Sequence, residues 1–202
     1  MILARVFPRV AVIPIALGLL SAGCSGDTAV SGDNLSTFDQ GAEGWTISGD
    51  VEEGETEPTF LPSGGTPGGA IQGTDEVAGG TWYFEGPASF LEALSRAYGG
   101  SLAFDLRTSE TTAPFDDADV VLVARETTLT FDLPSDPAAD WTHYEIPLSE
   151  AAGWILSDPG EALTAQRFRD ALSNTSGLRI RGEYNVGPDT GALDNARITA
   201  AG

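Results

Sequence analysis

Lysine is absent from this 202-residue chain, and cysteine, histidine and methionine occur once each. Without lysine there is no amine for Schiff-base chemistry, no phosphate-cradling lysine and no lysine general base. The one histidine, His143, excludes a multi-histidine metal site, and a histidine-containing triad would have to be built on it. The one cysteine, Cys24, allows no internal disulfide and no thiolate zinc cluster. Positive charge is also scarce: ten arginines stand against 30 acids, a formal charge of -20. A polyanion of that size repels phosphate backbones, which excludes nucleic acid as a partner. What is present suffices for a globular domain. Hydrophobic residues make up 41% of the chain, and its length fits one domain.

The N-terminus reads as an export signal. Arg5 and Arg9 give a positive start, and Val10 to Leu20 is apolar and uncharged, too short for a confident membrane span. Leu20-Ser21-Ala22-Gly23-Cys24 then runs through small residues into the sole cysteine. This resembles the bacterial lipobox, in which a peptidase cleaves before the cysteine and its thiol carries lipid. The resemblance implies a signal peptide over 1–23, lipid attachment at Cys24 and an exported protein. Its domain would face the periplasm or the cell exterior, anchored to the cell membrane or outer membrane. Residues 24–36, small and polar, read as a flexible tether, with the domain at 37–202.

From there, short runs of alternating character recur between Gly, Pro and Asp clusters. Trp82-Tyr83-Phe84, Ser101 to Arg107, Asp119 to Arg125, Thr127 to Leu133, Trp141 to Leu148, Leu178 to Tyr184 and Ala192 to Thr199 each read as a strand. An edge strand is expected around Ala70 to Gln72, inside the Gly- and Pro-rich stretch from Glu52 to Gly80. Leu163 to Leu172 reads as a helix with Thr164 as N-cap, and Phe90 to Tyr98 as a second. Neither alternates with strands as βαβ units would. The pattern predicts an all-β antiparallel sandwich.

The series FDQGAEGWTISGD, GGTWYFEGPASFL, AYGGSLAFDLR, WTHYEIPL, LRIRGEYN and LDNARI, in that order, resembles the laminin B domain, also called laminin domain IV type A, from about Phe38 to Ile198. The resemblance implies a galactose-binding-like jelly roll with one or two short helices and no catalytic activity. The disulfide-rich repeats that accompany the domain in animal matrix proteins are missing here, so a single lipid-anchored module is the simpler picture.

Jelly rolls of this kind often hold one Ca²⁺ where the first and last strands meet, and the resemblance places Asp39 and Asp194 there. Glu43 and Asp75 are weaker additions. The alternative is that these acids cap turns through backbone N–H groups. A structural calcium is the one cofactor expected. For a glycan, exposed aromatics would stack on sugar faces. Trp45 and Trp82 read as core, whereas Trp154, Tyr184 and Trp141 are the candidates for an exposed ligand face. Catalysis has little to stand on. Acid pairs arise by chance among 30 carboxylates, His143 reads as a strand residue, and no G-x-S-x-G elbow occurs. The expected function is a non-enzymatic surface lipoprotein presenting an adhesion or recognition module to an extracellular protein or glycan. The runner-up is specifically a carbohydrate-binding module, with a hydrolase a distant third.

Overall fold

The computed structural model describes residues 34–51, 56–75, 79–157 and 160–202. The signal segment, Cys24 and the tether as far as residue 33 lie outside these. Twelve strands, two α-helices and a short 3-10 turn (Glu150–Ala152) are present among the described residues. Every strand pair is antiparallel, and the strands form two six-stranded sheets, the all-β sandwich that the alternation predicts.

The first sheet contains β1 (Asn34–Ser36), β3 (Thr59–Leu61), β4 (Ala70–Thr74), β6 (Ser101–Thr108), β9 (Thr142–Pro147) and β12 (Thr190–Thr199). Its order is β3-β4-β12-β6-β9. The second contains β2 (Thr46–Gly49), β5 (Trp82–Glu85), β7 (Val120–Ala124), β8 (Thr128–Phe131), β10 (Ile155–Leu156) and β11 (Thr175–Arg181), in the order β10-β8-β7-β11-β5-β2. Helix α1 (Ala88–Leu94) starts two residues before the expected one and ends four before it. Helix α2 (Ala165–Ser173) begins two residues after the expected Leu163, directly behind the expected N-cap, and the Thr164 hydroxyl accepts from the Arg167 N–H at 3.3 Å.

Two expectations need correction. Residues 34–36, assigned to the tether, are strand β1, with Leu35 opposite Arg197. Strand β4 is not an edge: it lies between β3 and β12. β4 and β1 share one side of β12, pairing with Thr190–Leu193 and Ala196–Ile198 respectively. At the changeover β12 bulges against β6, between Asp194 and Arg197, and Asn195 takes a φ of 50°.

Alternation builds the core. On β6, Leu102, Phe104 and Leu106 point inward; on β12, Leu193, Ala196 and Ile198 do. Trp82 joins the two layers. A methyl group at Gly73 on β4, or at Gly182 just after β11, would overlap its indole, so glycine at both positions opens the slot.

Candidate functional site

Inward Leu102, Phe104 and Leu106 leave Ala103, Asp105 and Arg107 on the outer face of the first sheet. Register carries that face across neighbouring strands. Arg107 stands opposite Ala192, and Ala192 opposite Gln72, which faces Thr59. At the other side, just before β9, the Trp141 ring lies 4.8 Å beneath the Arg107 guanidinium. This row crosses five strands, about 19 Å. In the next row Asp194, Asp105 and His143 sit opposite one another on β12, β6 and β9.

That second row is hydrogen-bonded throughout. His143 Nδ1 lies 2.6 Å from Asp105 Oδ1, and Asn195 Nδ2 donates to Asp105 Oδ2 at 2.7 Å. Asn195 Nδ2 also reaches the Thr66 carbonyl and Asp194 Oδ2, at 3.0 and 3.2 Å. The bulge makes this possible, because the left-handed turn at Asn195 brings its amide over the face.

Of the aromatic candidates, only Trp141 belongs to this face, and it is half-buried. Trp154 and Tyr184, expected to be exposed, are buried. The Trp154 ring packs between Phe131 and Phe168, and its Nε1 donates to the Pro147 carbonyl at 3.0 Å. Tyr184 stacks on Arg181, whose guanidinium lies 4.5 Å from the ring. Arg181 is itself buried, donating to the Phe115, Asp117 and Glu183 carbonyls and pairing with Asp119 at 3.3 Å. Tyr184 therefore belongs to the buried knot that holds the segment before β7. Trp45 and Trp82 are core, as read.

The calcium candidates divide. Asp39 and Asp194 do converge on residues 65–69. Asp39 accepts from the Gly69 N–H at 3.4 Å and the Thr37 hydroxyl at 3.0 Å. Asp194 accepts from the Thr66 and Asn195 N–H groups, both at 2.6 Å. Burial, helped by the Asp105 and Asp39 charges, raises the Asp194 carboxyl above its ordinary value. These oxygens serve as turn and loop caps. No three His, Cys, Asp or Glu side chains among the described residues form a group able to hold an ion. Ca²⁺ needs six to eight oxygens, backbone carbonyls among them, and the Asp39 and Asp194 carboxylates here are engaged by N–H and O–H donors. Glu43 is exposed, at a left-handed turn with φ 52°. Asp75 lies elsewhere, its N–H bonded to the Asp189 carbonyl and its charge felt by Glu183.

The sequence reading missed Arg107, Gln72, Asp105 and Asn195. For Arg107, Gln72 and Asp105 the signal was the outward half of the alternation, which the inward hydrophobics mark as clearly as they mark the core; Asn195 reaches the face only through the bulge. A cleft of ≈ 490 Å³ lies elsewhere, between the β7–β8 turn, β10 and α2, lined by Arg125, Thr127, Leu156 and Asn174 among others. Among the described residues no aromatic ring lines it.

The fold has counterparts of known structure. The L4b domain of human laminin alpha-2 superposes with a TM-score of 0.62 at 16% identity, over 84% of this chain and 98% of that one. The family 30 carbohydrate-binding module of the cellulosomal cellulase Cel9D-Cel44B of Clostridium thermocellum superposes with a TM-score of 0.51 at 16% identity, over 83% and 97%. At such identities these likenesses concern the fold alone. No curated protein matches the chain in sequence. Residues 83–202, more than half of the chain, match the family described as Laminin B (Domain IV), and the chain belongs to that family.

Proposed function

We propose that the protein is a non-catalytic recognition module that binds a glycan across the outer face of its first sheet, displayed outside the cell on a lipid anchor at Cys24. One observation carries the glycan reading: Trp141, backed by Arg107, stands at one end of a row that also carries Gln72 and Thr59 at its far end. A half-buried indole offers a sugar ring an apolar surface, and Arg107, Gln72 and His143 offer donors and acceptors to its hydroxyls. Adhesion to a protein, the first expectation, draws less support. Among the described residues the large exposed hydrophobics Leu35, Ile155 and Val186 lie on three different elements, β1, β10 and the loop before β12. The family and the carbohydrate-binding neighbour are in keeping with a module that binds and does not react.

A glycan array probed with the full chain, with calcium and with chelator, tests this. Selective binding to one sugar class is expected, with Trp141→Ala weakening it about tenfold, the effect of losing one stacking aromatic. A blank array from folded protein, or equal binding by Trp141→Ala, would sink the sheet-face site.

A further inference from the structure

The only histidine of the chain stands on β9, the edge strand of this face, and Asp105 lies against its ring. Its Nδ1 lies 2.6 Å from Asp105 Oδ1, and Asp105 Oδ2 accepts from Asn195. With Asp105 as the acceptor of this contact, Nδ1 carries the proton between them. A neutral imidazole held this way carries its lone pair on Nε2. The His143 side chain is 61% exposed, against 12% for that of Asp105. The two neighbours in the first row, Arg107 and Trp141, have donors only. The acceptor at Nε2 is thus set diagonally across from the Arg107 donors, at about 7–8 Å between backbones.

We infer that His143 is a specificity-determining residue of the glycan site, held by Asp105 as the Nδ1–H form so that Nε2 accepts a hydrogen bond from a ligand hydroxyl. Asp105 is the positioning residue, and Asn195 holds Asp105. The inference rests on the glycan reading above and narrows it. The ligand is a neutral glycan with free hydroxyls, one donating to Nε2 while another accepts from Arg107. A sugar blocked at the donating hydroxyl by an acyl or methyl group has no proton to give and is rejected, because Nε2 is then left without a partner.

With one histidine in the chain, the ring ¹⁵N spectrum of the labelled full chain reports His143 alone. At alkaline pH the proton is expected on Nδ1, and Asp105→Asn is expected to redistribute it, because an amide also offers N–H donors. A proton on Nε2 in the unaltered chain would overturn the inference before any ligand is added. Binding is then measured for cellotetraose, xylotetraose and mixed-linked β-1,3-1,4-glucan tetrasaccharide. For whichever of these binds, His143→Ala and Asp105→Asn are expected to lose about tenfold in affinity. His143→Gln, whose amide oxygen takes the place of Nε2, is expected to stay within about threefold. Unchanged affinity in His143→Ala and Asp105→Asn would overturn the role of His143 and leave the glycan site standing. A chain with the expected tautomer that binds none of the sugars, on these or on the array, would remove the glycan reading and this inference with it.

Discussion

Around the β12 bulge, each oxygen of Asp194 and Asp105 has an N–H donor: Asp194 takes two backbone amides at 2.6 Å, and Asp105 takes an imidazole and an amide. A second group of acids, at the ends of β4 and β11, is equally buried and poorly supplied. Glu183 has the Trp82 N–H at 3.3 Å, Asp189 Oδ2 has two contacts at 3.4 Å, and Asp189 Oδ1 has no partner. Burial, with the charges of Asp75, Asp189 and Asp50 adding to it, pushes Glu183 up to about 7. The difference teaches what a buried carboxylate does for this fold. Where N–H donors converge, it ties loops to the sheet; where they are few, it takes up a proton.

The comparison breaks most sharply at Asp194. Asp194→Ala leaves the Thr66 and Asn195 amides unpaired under a closed surface, and is expected to cost about 3 kcal/mol in denaturant unfolding. A loss under about 1 kcal/mol would show that water replaces the carboxylate. Glu183 tests the other side through pH. Its folded value of about 7 exceeds its ordinary 4.5, so the folded chain holds a proton that the unfolded chain has released between those values. That contribution is complete below about pH 4.5 and lost as pH rises to about 7. Glu183→Gln is therefore expected to raise Tm at pH 8, by about 2–4 °C for each kcal/mol relieved, and to change little at pH 4. An equal effect at both pH values would refute the strained-acid account. The smallest effect is expected from calcium. With the Asp39 and Asp194 oxygens already engaged, added Ca²⁺ should move Tm by less than about 1 °C. A rise of several degrees, abolished by Asp194→Asn, would mean that residues 65–69 rearrange around an ion.

Long alternating strands were legible in the sequence because both faces of each strand declare themselves. β6 is the clearest case, with Leu102, Phe104 and Leu106 against Ala103, Asp105 and Arg107. Strands β1, β3 and β10, of two or three residues, carry no period, and only their partners make them strands. The place of β4 inside the sheet depends on a pairing with β12 more than a hundred residues away. The site was legible in part for the same reason. Trp141 lies beside a readable strand, whereas the exposure of Trp154 depended on Phe131 and Phe168, which approach it only in three dimensions. Convergence of Asp39 and Asp194 followed from the family resemblance, while two of the donors that occupy them, the Thr66 and Gly69 N–H groups, come from a Gly- and Pro-rich segment with no pattern of its own.

The unequal burial of the tryptophans has an optical consequence. Trp45, Trp82 and Trp154 are 1%, 0% and 5% exposed, which leaves Trp141 as the indole within reach of a dissolved quencher. Collisional quenching by iodide or acrylamide thus isolates the emission of one ring. That ring stands at the proposed docking line, so its shielding would register an arriving sugar without any label.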